Sequence, residues 1–504
     1  MSVTDAPQYD LAIIGGGING AGIARDAAGR GLKVLLLEKD DLASHTSSHS
    51  TKLVHGGLRY LEHYEFRLVA EALDEREVLL KAAPHIISPL QFVLPHEPHL
   101  RPAWMIRAGL LLYDHLGKRE TLPSSFGVRL RGSKWGAGLK TQFDRGFVYA
   151  DARVDDARLV VFNAMAAHEL GAEIRTRSKL VSARRDKESW RITFEDSSGV
   201  SSEAKVMALV NASGPWVKEL LDALARTRIE AGVRHVKGSH IVVPRVHRED
   251  HAYILQNADN RVAFIIPYQD EFSLIGTTDV AVDAFESPAI SQGEIEYLCQ
   301  IANTYLARPI ESRDVVWSYS GVRPLYDDGS IDPADVTRDY VLEIDADQNG
   351  RAPLLSIFGG KITTYRRLAE AVLARLKPFF PGMKGDWTRR EPLPGGDVPR
   401  GGLAAYEREL SVRYPWLPET LRTALLRRHG TRTARVLDEA KSVAELGRHF
   451  GQTLYAAEVD YMVAREWALT ADDVLWRRTK CGLHLDSSQR DAVSAYLREQ
   501  YGRQ

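Results

Sequence analysis

The sequence predicts an α/β protein with a helical C-terminal extension, and three observations predict it. A glycine-rich turn lies between a short apolar run and a small-residue segment near the N-terminus. Short β-rich stretches fill the middle of the chain, and a proline- and glycine-rich break precedes a final stretch with helical apolar spacing. The 504 residues give room for two or three domains at roughly 150 residues each.

Composition narrows the function classes. Lys and Arg number 66 against 67 Asp and Glu, a net charge of −1, with 44% apolar and 26% charged residues. This is an ordinary globular profile without a dense basic face, so no nucleic-acid partner is expected. Cys299 and Cys481 allow at most one disulfide and form no CxxC. A cysteine-rich metal centre is therefore unavailable, no metal site is expected, and a reducing compartment is the natural setting. Met1 to Asp10 carries acids and no basic n-region, so no signal peptide is expected. No stretch reaches the roughly 20 apolar residues of a membrane span. The longest candidate, Ala103 to Tyr113, contains Arg107.

Tyr9 to Ile14 reads as a buried strand leading into Gly15-Gly16-Gly17-Ile18-Asn19-Gly20, then a helix of small residues that ends at Gly31. Gly15 permits the turn, Gly17 lets the backbone approach a pyrophosphate, and Gly20 lets the helix lie close on the strand. Ile18 and Asn19 fall at the helix N-terminus that faces the phosphates. Leu32 to Leu37 is the second strand, and Glu38 closes it 18 residues after Gly20, where a carboxylate accepts hydrogen bonds from an adenosine ribose. Together these elements specify a Rossmann-like dinucleotide site. Glu38 would repel the 2′-phosphate of NADP, which leaves FAD or NAD.

Ala43 to Ser50 is rich in hydroxyls and histidines, and Thr51 to Tyr60 follows with Lys52, His55, Gly56, Gly57 and Arg59. Thr46, Ser47 and Ser48 offer donors to phosphate or ribitol oxygens, and the paired glycines admit a flat ring. A polar surface loop is the plainer reading of the same residues.

TSSHSTKLVHGGLRYLEHYEFRLV, VNASGPWV (Val210 to Val217), KGSHIVVPR (Lys237 to Arg245), GTTD, SGVRPL, TRDY and FGGKITTYR (Phe358 to Arg366) follow that glycine turn in order. The series resembles the FAD-dependent glycerol-3-phosphate dehydrogenases, within the glycine oxidase and D-amino acid oxidase-like superfamily, over most of the chain. The resemblance implies a Rossmann-like FAD-binding domain interleaved with a mixed or antiparallel β substrate domain, plus an all-α C-terminal domain. It implies noncovalent FAD, with a tether to His45 or His49 as the alternative. The implied cofactor contacts are Thr46, Ser47, Ser48, Lys52, His55, Gly56 and Gly57, then Ala212 and Gly214, and finally Gly359, Gly360, Lys361, Ile362 and Thr363.

The implied reaction is oxidation of sn-glycerol 3-phosphate to dihydroxyacetone phosphate, with electrons passing to a membrane quinone. A glycerol-3-phosphate oxidase that uses oxygen is the first alternative, and a non-catalytic flavin-binding redox sensor the second. The resemblance puts the protein in the cytoplasm, attached peripherally to the inner face of the cytoplasmic membrane, and leaves a homodimer open.

A buried phosphate dianion needs several cations. Arg59, Arg323, Arg338 and Lys361 are the expected set, with Tyr60 adding a hydroxyl. Arg323 and Arg338, 15 residues apart on either side of Asp327-Asp328-Gly329, are the expected clamp. Taken singly, each arginine also reads as a solvated charge or a structural ion pair. His55 is the first choice of catalytic base, with Arg323 or Lys361 polarising the alkoxide, and His240 is the second choice. Leu354 to Phe358 is an expected strand, with a helix from Ile362 onward whose N-terminus points at the cofactor.

The β-rich middle includes Ile241 to Val243, Val262 to Ile266 and Phe272 to Ile275, with a hairpin signal at Asn257 to Asn260. Lys377 to Gly402 holds five prolines and six glycines in 26 residues. It reads as a linker between an interleaved unit, 1–376, and a helical domain, 403–504. Ala103 to Tyr113 fits an interfacial anchor and a core helix equally well. Arg477, Arg478 and Lys480 read as a solvated helical face, with an acidic surface or anionic lipid as the alternative.

Overall fold

The computed structural model describes residues 8–97, 101–224, 232–257, 261–327 and 339–502. The N-terminal elements follow the glycine pattern: strand β1 (Gln8–Ile14), helix α1 (Ile18–Gly29) and strand β2 (Val34–Leu37). β1 and β2 are apolar almost throughout because both faces of the sheet are covered. They pair in parallel with each other, and β1 pairs in parallel with the strand Ser201–Asn211, which pairs in parallel with Leu354–Phe358. Glu173–Arg175 extends the parallel core on the β2 side, and antiparallel strands complete an eight-stranded sheet. α1 is buried on nearly every side, so its small residues are a packing requirement. A Cβ at Gly22 would lie 2.6 Å from the Tyr365 ring.

The second sheet has ten strands. It is mixed, because His251–Gln256 runs parallel to Ile87–Pro95 while its other pairings are antiparallel. Strand β3 (Leu53–Val54) forms one end of this sheet and leads into the His55–Gly57 turn. Helix α2 (Phe66–Ala82) packs behind that turn, and helix α3 (Ala103–Leu116) lies against α2. The strands flanking the expected hairpin pair antiparallel, Tyr253 opposite Ile265, while 258–260 lie outside the described residues.

Three expectations need correction. First, the segment 377–402 is not a free linker. Trp387 Nε1 donates to the Asp26 carbonyl at 3.1 Å, Arg25 donates to the Glu391 carbonyl at 2.8 Å, and Leu393 is buried. Second, the C-terminal region is helical as expected but is not packed apart: Leu417, with Leu421 and Leu425 of the helix Glu419–His429, joins the same apolar core as α1, and a short hairpin, His449–Gly451 with Leu454–Tyr455, is added to the helices. Third, Arg477, Arg478 and Lys480 form no solvated face and meet no lipid. Arg478 is bonded to Asp41 and Lys480 to Asp155, both cations buried, and Arg477 shares Asp41 at 2.6 Å. The periodicity of the segment was obscured because it forms a π-helical turn, Asp473–Arg478.

Candidate active site

Four parallel strands end at one cavity of about 400 Å³. Ile14, Leu37, Asn211 and Phe358 are the last strand residues, and the residues that follow them, Gly15, Glu38, Ala212 and Gly359, line the cavity. This is the carboxyl-end crevice where open α/β sheets bind ligands. Gly15 turns the chain at φ +115°, and a Cβ there would collide with the Ala212 backbone. A Cβ at Gly20 would overlap the Gly15 carbonyl oxygen, so Gly20 supports the turn from beneath and does not line the cavity.

The donor set fits a dinucleotide. Glu38 is buried, and its carboxylate accepts from the Gly16 amide at 2.6 Å and the Asp40 amide at 2.8 Å. Burial raises its pKa, opposed by these two bonds. Gly17 is the N-cap of α1, and the first helical amide, Ile18, donates to Ser47 Oγ at 3.0 Å. That hydroxyl therefore stands at the positive end of the helix, beside the space a pyrophosphate takes. Asn19 Nδ2 donates to the Gly359 carbonyl at 3.1 Å, whereas its buried Oδ1 has no partner among the described residues. An orphaned acceptor at a cavity wall suits a hydroxyl-bearing ligand. Thr46, Gly214 and Gly360 also line the cavity.

Sequence reasoning missed its other end. Trp216 lines the cavity with Lys39 Nζ 4.0 Å from its ring centre, and Ser178 to Leu180 close the wall. The VNASGPWV motif held the signal for Trp216. Ser178 to Leu180 had none, because a distant antiparallel strand brings them in.

Some expected contacts lie elsewhere. Lys52 donates to both Asp156 carboxylate oxygens, at 2.9 and 2.8 Å, and to the Ser48 carbonyl at 2.8 Å. With its three donors engaged and its side chain buried, it braces the loop from behind and is not a cofactor contact. The Ser48 hydroxyl donates to the His45 carbonyl at 3.3 Å and does not line the cavity. His45 Nε2 lies 2.7 Å from Asp40, and His49 Nδ1 lies 2.6 Å from the His45 carbonyl. Ligand atoms of Glu38, Asp40 and His45 fall within 4.8 Å of one another, but Glu38 is committed to backbone amides. The helix that follows Leu354–Phe358 begins at Tyr365, not Ile362, so Lys361 to Thr364 form a turn before it.

The catalytic candidates fall into two groups. In the first, the His55 amide donates to Thr363 Oγ1 at 3.3 Å, and Lys361 Nζ stands 4.1 Å from the Tyr60 ring centre. The turns His55–Gly57 and Lys361–Thr363, with 308 positions between the bonded His55 and Thr363, are thus neighbours. Burial holds the His55 imidazole below its ordinary pKa; Asp151 opposes this, and Lys361 and Arg76 reinforce it. In the second group, Arg323 pairs with Asp279 and is 44% exposed, so it is not a buried cation as expected. His240 is buried, stacks on Tyr319 with ring centres 4.9 Å apart, and meets Thr51 Oγ1 at 3.0 Å. Burial first, then Lys52 and Arg323, push its pKa down to about 3, so it is neutral. Arg59 lines a separate cavity of about 880 Å³ beside α3. Arg338 lies outside the described residues, so the expected Arg323–Arg338 clamp cannot be traced.

A family described as FAD dependent oxidoreductase matches residues 10–366, and the C-terminal domain of alpha-glycerophosphate oxidase matches 387–501. A glycerol-3-phosphate dehydrogenase of Pseudomonas aeruginosa is 53% identical over 497 residues, spanning 98% of this chain and 96% of the relative. The chain belongs to the FAD-dependent glycerol-3-phosphate dehydrogenase family. A D-erythritol 1-phosphate dehydrogenase of Brucella abortus is also 53% identical, over 96% of each chain. The solved glycerol-3-phosphate dehydrogenase of Bacillus halodurans, complexed with FAD, superposes with a TM-score of 0.76 at 27% identity, covering 98% of this chain and 91% of that one.

FAD is thus the cofactor of this dehydrogenase-family chain. Glu38 would hold its adenosine ribose, and the start of α1 with Ser47 its pyrophosphate. No described helix is long and apolar enough to cross a membrane. α3 is not the core helix that one reading expected: it buries only Leu110 and Tyr113, and Trp104 is 69% and Leu111 51% exposed.

Proposed function

We propose that this chain oxidises sn-glycerol 3-phosphate to dihydroxyacetone phosphate and passes the electrons to a quinone at the cytoplasmic membrane surface. The observation that carries the reading is the meeting of the His55–Gly57 and Lys361–Thr363 turns beside the cofactor crevice. FAD, when bound, accepts the hydride from the secondary carbon. His55, neutral because burial lowers its pKa, takes the hydroxyl proton, and Asp151 steadies the resulting imidazolium. Lys361 and Arg323 supply positive charge to the alkoxide and phosphate, with Tyr60 and His240 as further substrate contacts. Noncovalent FAD is supported by the hydrogen bonds that already engage His45 and His49.

The exposed apolar residues of α3, with Tyr64 and Phe66 nearby, support a quinone over oxygen as acceptor, because an interfacial helix brings the enzyme to the acceptor's own phase. They equally support peripheral attachment to the inner face of the membrane. A second substrate, D-erythritol 1-phosphate, is favoured by the relative of that activity at equal identity. Anaerobic titration tests the proposal. Glycerol 3-phosphate should bleach the flavin at lower concentration than erythritol 1-phosphate, and a quinone analogue should restore the colour faster than oxygen does. Spectral perturbation without bleaching would instead indicate a flavin-binding sensor.

A further inference from the structure

Tyr113 is carried by the helix that exposes Trp104 and Leu111, yet it is itself 2% exposed. Its hydroxyl donates to the Asp151 carboxylate, 2.9 Å from either oxygen, and accepts the Gly56 amide at 2.9 Å. The same amide reaches Asp151 at 3.3 Å, and Arg76 also pairs with Asp151. All three side chains are buried. The turn closes tightly on the phenol, since a Cβ at Gly56 would lie 2.6 Å from the Tyr113 oxygen.

We propose that Tyr113 is a positioning residue for the active-site turn, fixing the backbone of His55 and Gly56 and neutralising part of the Asp151 charge that faces His55. The proposal rests on the assignment of His55 as base. The charged groups facing His55 are Asp151, Lys361 and Arg76, and Tyr113 acts on the first of them. Packing alone would require the ring, whereas positioning requires the oxygen. Without that oxygen Asp151 keeps Arg76 but loses a donor, so its field at His55 strengthens and the imidazole holds its proton to higher pH.

The test is Tyr113→Phe in the full-length, FAD-loaded protein, followed by anaerobic stopped-flow reduction with glycerol 3-phosphate across pH. The expected result is a limiting reduction rate lower by about tenfold, the order of one lost buried hydrogen bond. The acid limb of the pH profile should move to higher pH, with the half-saturating substrate concentration nearly unchanged. Asp151→Asn, which removes the charge, should move the limb to lower pH. An unchanged rate and limb in Tyr113→Phe would overturn the proposal. His55→Asn separates it from its premise: if that variant keeps the acid limb, the base assignment fails, and if it loses the limb while Tyr113→Phe leaves it in place, the positioning role alone fails.

Discussion

Arg478 grips Asp41 with two parallel bonds, 2.6 and 2.8 Å, although 437 positions separate them in sequence. Both side chains are almost wholly removed from water. Asp41 opens the loop whose residues Ala43 to Ser47 line the FAD crevice, and its carbonyl receives the Ser44 hydroxyl at 2.5 Å. The C-terminal region therefore anchors the cofactor loop. Removing one partner of a buried pair costs about 3–5 kcal/mol, and Arg477, which keeps its 2.6 Å bond to Asp41, puts this loss at the lower end. Arg478→Leu should lower the unfolding free energy by that order in urea titration and release flavin on gel filtration.

A second prediction concerns Gly20. A methyl group there has no space, because it would coincide with the Gly15 carbonyl oxygen that shapes the phosphate turn. Gly20→Ala must displace α1 from β1. The protein should purify without its yellow colour, and absorbance relative to protein content measures the loss.

The first βαβ unit was legible in the sequence because each of its glycines answers a separate steric demand and Glu38 falls at the strand end. Lys52 was misread for the opposite reason. The family resemblance implied a cofactor contact, but the role of Lys52 depends on Asp156, which only the tertiary fold brings near. The same holds for Arg478 and Lys480, whose partners Asp41 and Asp155 lie hundreds of residues away, and for the bond of Arg477 to Asp41. Arg323 was singled out by its motif, but its Asp279 partner and its half-exposed side chain were not visible there.

His55 supplies a kinetic prediction. An imidazole kept neutral by burial should leave flavin reduction active below the ordinary histidine value of about 6.5. His55→Asn should lower the reduction rate by about 10²-fold or more and remove the acid limb, as loss of a general base does. Stopped-flow flavin absorbance under anaerobic conditions measures both.

α3 allows membrane attachment to be separated from stability. Trp104 and Leu111 are mostly exposed, so replacing both with serine should change the unfolding free energy by only about 0.5 kcal/mol each. If the helix seats in lipid, each side chain contributes about 1–3 kcal/mol of apolar burial there. Binding to anionic vesicles in co-sedimentation should then fall at least about tenfold, while reduction of the flavin by substrate in solution stays at the level of the parent protein.

The buried histidines predict how stability depends on pH. Burial, with Lys52 nearby, lowers His49 to about 4, and burial with Lys52 and Arg323 lowers His240 to about 3. Burial, with Arg245 nearby, lowers His247 to about 4, and burial with His247 nearby lowers His251 to about 3. In the unfolded chain each titrates near 6.5. As pH falls through that value the unfolded state gains protons that the folded state refuses, so stability declines, approaching about 1.4 kcal/mol per pH unit for each histidine. The decline continues until the folded values are reached. Glu294, which despite burial is held down to about 2 by Lys237 and its hydrogen bonds, adds a loss of the same sign only below about 4.5, the ordinary carboxylate range. Between about 6.5 and 4.5 the histidines supply the downward slope, offset in part by Glu38, whose burial-raised pKa lets the folded state take up its proton first. Urea unfolding at successive pH values should show the slope there, and His251→Gln should make it shallower without altering stability above neutral pH by the same amount.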